Sequence, residues 1–282
     1  MNNRADLHTH TTASDGLFPP EMNVRMAKEA GLSAIAITDH DTLAGIPEAL
    51  EAGLVYGILV VSGVEISTAV EGTDIHVLGY GISPDDTLLQ SRLLSLRNVR
   101  NRRNEAILSR LELLGMSVSH EELEQAAGKA QSSEGSIGRP HIAQVLVDKG
   151  YAADLKEVFD RWLGEGKPAN VSPPRITPAE AISWIHDAGG KAIIAHPGIY
   201  DNDALVVHLL DSAADGIEAF HSDHDSQAEL RYEEWAISRG KLVTGGSDFH
   251  GVKDGIAFHG ALGNRSVDVE VISRLLEGLS QK

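Results

Sequence analysis

The sequence predicts an α/β fold closed in the manner of a barrel, on two observations. Short apolar runs alternate with amphipathic stretches over residues 5–82 and again from residue 177, the rhythm of parallel strands joined by helical crossovers. Seven strand candidates suit barrel-like closure, and 282 residues is a length that one α/β barrel often reaches.

The first strand is expected over residues 5–11. Pro19 and Pro20 open a helix that runs to about Gly31, proline fitting a first helical turn and glycine a helix end. A strand at 34–39, a helix opened by Pro47 and ending near Gly53, and strands at 58–65 and 75–80 follow. Residues 84–174 then break the rhythm with helical periodicity and no convincing strand, punctuated by Ser-Pro-Asp-Asp at 83–86 and by a proline-rich stretch from Val171. We therefore expect a barrel of residues 1–83 and 175–282, with 84–174 a helical insertion that lids a site. The rhythm resumes with a helix from Thr177 to Gly189 and Gly190, a strand at 191–195, a helix at 204–213 and a strand at 216–220. A helix at 226–238, a strand at 241–244 and a helix from Val267 close the chain.

Composition narrows the function. The chain is 42% hydrophobic and 23% charged, a globular balance, and has no apolar run near the roughly 18 residues that span a bilayer. No signal-like stretch opens it, so a cytoplasmic protein is expected. The absence of cysteine removes disulfides, thiolate nucleophiles and Cys-ligated zinc. A net charge of −17 repels duplex DNA but leaves room for a small anion in a locally positive pocket. The expected partner is a small molecule, with no membrane and no obligatory protein partner indicated.

The 13 histidines are placed unevenly. Asp6-Leu7-His8-Thr9-His10 ends the first strand with Asp15 just beyond, and residues two apart on a strand face one side. Thr38-Asp39-His40-Asp41 ends the second, Gly63-Val64-Glu65 the third, and His76 lies early in the fourth. Ala195-His196-Pro197 and Gly246-Ser247-Asp248-Phe249-His250 end later strands. These residues fall where parallel sheets and barrels carry their sites, and imidazole with carboxylate suits Mn, Fe or Zn. Gathered without metal, the carboxylates would repel one another in a low dielectric.

These motifs, in this order, resemble those of the polymerase and histidinol phosphatase (PHP) family, over nearly the whole chain outside the insertion. The resemblance implies a distorted (β/α)7 barrel with a helical insertion, related to the amidohydrolases, and a three-metal centre, often manganese, that hydrolyses phosphoesters. It places His8, His10, Glu65 and Asp248 on one ion. Asp15, His40 and His250 fall on a second, and Glu65, His76 and His196 on a third, with Glu65 bridging. The reaction expected is in-line attack by a metal-bridging hydroxide. The best match is the branch acting on nucleoside 3′,5′-bisphosphates or, alternatively, cleaving short RNA 5′-to-3′. A histidinol-phosphatase-like enzyme and a non-catalytic polymerase accessory are weaker alternatives.

The remaining candidates are read from the residues themselves. His221 ends the strand at 216–220 and faces the site, a candidate for contact with the leaving group, while His224 stays open. His120, His186, His208 and His259 are read as surface or packing residues. In the insertion, Leu96, Arg100, Arg103, Ile107, Arg110 and Leu114 share one helical stripe. A guanidinium on an apolar stripe needs an anion, from a protein carboxylate or from a ligand phosphate. Arg100, Arg102 and Arg103 are therefore substrate-binding candidates. So are Glu134, Ser136 and Arg139 of the glycine-bearing loop before the next helix, whose amides could hold a phosphate.

Overall fold

The computed structural model describes residues 3–127, 137–253, 255–257 and 259–277. The first half of the barrel comprises β1 (Arg4–Asp6), α1 (Pro20–Glu29), β2 (Ala34–Ile37), α2 (Ile46–Tyr56), β3 (Leu59–Val70) and β4 (Thr73–Tyr80). Among the described residues, four helices follow: α3 (Thr87–Leu113), α4 (His120–Ala126), α5 (Arg139–Asp148) and α6 (Leu155–Val158), the last running into a π-turn at Phe159–Leu163. The chain returns through α7 (Pro178–Asp187), β5 (Lys191–Ile194), α8 (Asp203–Asp211), β6 (Gly216–His221), α9 (Ser226–Ser238) and β7 (Leu242–Gly246). Two short strands, β8 (Val252–Lys253) and β9 (Ile256–Ala257), precede β10 (Val267–Asp268) and α10 (Glu270–Leu275).

The main sheet runs β10-β1-β2-β3-β4-β5-β6-β7. It closes because the segment after β1 meets β7 and the segment after it. Leu7 N–H donates to Gly245 O at 3.2 Å, Asp248 N–H to His8 O at 2.9 Å and His10 N–H to Phe249 O at 2.9 Å. Seven strands thus form the ring, with β10 antiparallel on the outer part of β1. All four residues of β2, Ala-Ile-Ala-Ile, are buried, as both faces of a parallel strand inside such a layer must be.

Three features differ from the sequence reading. The first strand ends at Asp6, so His8 and His10 lie in the segment that follows it rather than on the strand. The fourth strand is antiparallel to both neighbours, pairing Glu65 with Leu78 and Ser67 with His76. Its cause is a tight hairpin turn at Glu71 and Gly72, whose φ values of 49° and 92° are the left-handed geometry of a two-residue hairpin. Reversal puts the start of β4, and with it His76, at the same mouth as the ends of the parallel strands. The terminal helix begins at Glu270 rather than at Val267, because Val267 and Asp268 pair with β1.

The long helix α3 spans two cores. Asp86 caps it, accepting Leu89 N–H at 2.7 Å. Leu89, Leu93 and Leu96 pack into the barrel's outer layer, whereas Ile107, Leu108 and Leu111 join a second cluster with Leu123, Ile142 and Leu146. Arg100 and Arg103 occupy the same stripe where it passes between those cores. Among the described residues no helix is long and apolar enough to cross a membrane.

The seam between β1 and β7 leaves no room for a side chain at Gly246, where a Cβ would lie 2.4 Å from His8 N and 2.5 Å from His8 Cβ. Gly246→Ala should therefore cost about 1–3 kcal/mol of stability through overpacking of two backbones. Urea unfolding checks this, and wild-type stability would mean that the seam is slack.

Candidate metal centre

The strand ends are fixed before any functional side chain is considered. Buried Asp6 accepts Ser247 N–H at 2.9 Å, Ser247 Oγ–H at 2.6 Å and Gly263 N–H at 2.8 Å, tying the first strand to the segment after β7. Burial pushes its pKa up to about 6. Asp39 accepts Thr11 N–H at 2.7 Å and Ser14 Oγ–H at 2.6 Å, which shapes the loop carrying Asp15. Asp41, His196, Asp248 and His259 hold φ values of 53°, 25°, 54° and 57°, strained geometry for residues with side chains. All four line one pocket, the usual place for such strain.

The structure brings all nine predicted ligands to that mouth. Nε2 of His8 and of His10 lie 3.2 Å apart. Asp248 Oδ1 is 3.3 and 3.1 Å from them, and Glu65 Oε2 is 3.4 and 3.2 Å from them. Donors bonded to one ion at roughly 2.0–2.2 Å sit about 3–3.5 Å from one another, which is this spacing. The other carboxylate oxygen, Glu65 Oε1, lies 2.7 Å from His76 Nδ1 and 3.0 Å from His196 Nε2, themselves 3.3 Å apart. Asp15, His40, His250 and His10 make the remaining cluster, with Asp15 Oδ1 3.4 Å from His250 Nε2 and Asp15 Oδ2 3.7 Å from His40 Nε2.

Charge is concentrated here. Burial opposes the ionisation of Glu65, yet His40, His76 and His8 hold its pKa well below the usual range. Asp15 is likewise held low against burial by His40 and His250. Burial pushes His196 down to about 4, a neutral imidazole with a lone pair to give. Asp15 Oδ1, His40 Nδ1, His196 Nδ1 and Asp248 Oδ1 are buried without hydrogen-bond partners. Of these, Asp15 Oδ1, His40 Nδ1 and Asp248 Oδ1 stand 3.4, 3.1 and 3.1 Å from another donor of the cluster, which fits divalent cations better than a self-satisfied network.

Two contributors escaped the sequence reading. Glu218, wholly buried in β6, sets both its oxygens 3.0 and 3.1 Å from His8 Nδ1 and accepts His196 N–H at 2.8 Å. Holding the proton on Nδ1 leaves the His8 Nε2 lone pair facing the cluster. His259, read as a surface or packing residue, in fact lines the pocket. Its Nδ1 is 3.1 Å from Asp223 Oδ2 and 3.8 Å from Asp248 Oδ2. The loop after β7 folds back over the mouth and carries it there. His221 is buried with Nε2 3.5 Å from Asp248 Oδ2. His224 is structural, its two nitrogens engaged by Ala219 O at 2.8 Å and Gly198 N–H at 3.0 Å.

A cavity of about 560 Å³ joins this floor to an arginine wall formed by Arg100, Arg102, Arg103, Arg139 and Arg175. Arg100 is anchored, donating at 2.6 Å to both Asp41 Oδ2 and Ser67 Oγ. Asp74 holds Arg139 at 2.6 Å and Arg175 at 2.9 Å. Arg102 is exposed at the rim. Arg103 is buried, yet its polar contact is with Asn104 Oδ1 at 3.1 Å, and no carboxylate lies at ion-pair distance among the described residues. Burial, compounded by Arg100, Arg139 and Arg175, pushes its pKa down to about 8. Glu134 and Ser136 lie outside the described residues.

Comparison with known proteins agrees with this geometry. Residues 6–171 match the PHP domain model. The 5′-3′ exoribonuclease Rnm of Salmonella typhimurium is 37% identical over 254 residues, 87% of this chain and 84% of the relative. A 3′,5′-nucleoside bisphosphate phosphatase of Chromobacterium violaceum is 33% identical over 264 residues, 89% of this chain and 88% of the relative. The solved structure of an amidohydrolase from C. violaceum, with bound sulfate and no metal, superposes with a TM-score of 0.83 at 32% identity, covering 96% of each chain.

Glu218→Gln keeps the shape at β6 but weakens the hold on the His8 tautomer. It should lower metal affinity about 10- to 100-fold with the fold intact. Competition against a chelator measures this, and unchanged retention would show that Glu218 does not act through His8.

Proposed function

The chain belongs to the PHP-domain family and is a metal-dependent phosphoesterase, and from that premise we propose that it removes the 3′-phosphate of nucleoside 3′,5′-bisphosphates such as adenosine 3′,5′-bisphosphate. The observation that carries this reading is Arg103, a buried cation in the pocket wall with no carboxylate beside it among the described residues. A guanidinium in that setting is relieved by an anion, and a substrate with a second phosphate beyond the scissile one supplies it. The C. violaceum relative named as a bisphosphate phosphatase supports the same substrate class.

In this reading His8, His10, Glu65 and Asp248 hold one cation, Asp15, His40 and His250 a second, and Glu65, His76 and His196 a third, with manganese favoured over iron or zinc. When bound, such cations clamp phosphoryl oxygens and bring the pKa of a water near neutrality. The protein's own part is positional. Glu218 fixes His8, and Asp41 with Ser67 aims Arg100 at the wall. Arg100, Arg102, Arg103 and Arg139 orient the distal phosphate. His221, expected from the sequence to meet the leaving group, is instead buried and does not line the cavity, and its part is to hold Asp248.

A second reading, 5′-to-3′ cleavage of short 5′-phosphorylated RNA, is supported by the S. typhimurium relative. The net charge of −17 limits that reading to short chains. Phosphate release from adenosine 3′,5′-bisphosphate, set beside mononucleotide release from short RNA, separates the two. Turnover of the RNA alone would overturn the first in favour of the second.

If Arg103 meets the distal phosphate, Arg103→Ala should lower kcat/KM for the bisphosphate roughly 10- to 150-fold, the worth of one hydrogen bond to a charged group. p-Nitrophenyl phosphate has no second phosphate and should lose several-fold at most. Equal losses on both would assign the residue to structural support.

A further inference from the structure

The pocket has a third surface besides its acidic and imidazole floor and its arginine wall. Val99 of α3, Pro140 of α5, Phe159, Pro173 and Pro174 form an apolar lip contributed entirely by residues 84–174. Phe159 opens the π-turn Phe159–Leu163, and single π-turns recur at functional sites. Gly164 N–H donates to Phe159 O at 2.8 Å, and a Cβ on Gly164 would stand 2.6 Å from that oxygen, so the turn requires glycine there. The Phe159 side chain is half-buried, packing on the helical cluster of Ile142 and Leu146 while also lining the cavity. The pocket's other large aromatic, Tyr200, is buried with its hydroxyl committed to Ala195 O at 2.5 Å.

This division of the walls follows the parts of a nucleotide. Arginines and the ligand cluster take charge, and the lip offers flat apolar surface. We infer that Phe159, with the neighbouring prolines, is the nucleobase subsite, holding the base by stacking. The inference deepens the proposed bisphosphate reading and rests on it for the orientation of the substrate. Stacking is tolerant of base identity because every base has a π-face, and it favours the larger purines. Bases should therefore rank by ring size.

Two variants and two readouts test it. Phe159→Leu keeps an apolar side chain against the helical cluster but removes the ring, and Phe159→Trp keeps a ring. Phe159→Leu should lower kcat/KM for adenosine 3′,5′-bisphosphate roughly 5- to 150-fold, the usual worth of one stacked base, and for ribose 3,5-bisphosphate less than threefold. Equal losses on the two substrates, or none on either, would overturn the subsite. Independently of turnover, adenosine 5′-phosphate should quench the added fluorescence of Phe159→Trp saturably, and ribose 5-phosphate should not. Quenching without bisphosphate hydrolysis by the wild type would leave the subsite standing and overturn the proposed reaction. Absent or equal quenching by the two compounds would overturn the subsite itself.

Discussion

The structure depends on one buried carboxylate. Glu65 is 1% exposed and stands within 2.7 to 3.4 Å of five imidazoles, those of His8, His10, His40, His76 and His196. Those rings come from β1, β2, β4 and β5 or from the segments that follow them, so four strand ends converge on this one carboxylate. An ionised group taken out of water at that depth is costly unless charge surrounds it. The backbone around it is arranged accordingly, with left-handed strain at Asp41, His196 and Asp248 and no room for a Cβ at Gly246.

The helical segment is bound to this centre by charge as well as by packing. Arg100 reaches from α3 to Asp41, one residue past His40, and Arg139 of α5 joins Arg175 of the barrel on Asp74, two residues before His76. Breaking a buried pair such as Arg100–Asp41 leaves an uncompensated charge, which costs several kcal/mol. The same contacts keep the arginine wall facing the floor. The arginine wall and the candidate ligand cluster are thereby tied together through residues adjacent in sequence to His40 and near His76.

Much of this was legible in the sequence, for a physical reason. Candidate metal ligands at strand ends appear as polar residues interrupting apolar runs, and the barrel rhythm around them is periodic. The stripe of α3 was also readable, because arginine at an apolar spacing is conspicuous. What escaped did so for equally physical reasons. Glu218 sits in the run Gly216-Ile217-Glu218-Ala219-Phe220, where a lone acid in a buried strand was the available signal. The antiparallel β4 was signalled by Glu71-Gly72 between two β-prone runs. His259 had no local mark, since only the return of its loop over the mouth brings it to Asp248. Phe159 likewise reads as one more core aromatic until the π-turn is seen.

The central claim is that the cluster around Glu65 is built to be completed by divalent cations. Thermal unfolding of the metal-stripped protein during titration with Mn²⁺ tests it most directly. A cation that binds only the folded state adds about 2.7 kcal/mol of stability at a concentration one hundred times its dissociation constant. The account predicts a rise in Tm of several degrees, with binding saturating between two and three equivalents per chain. An unchanged Tm, or saturation at a single equivalent, would contradict it.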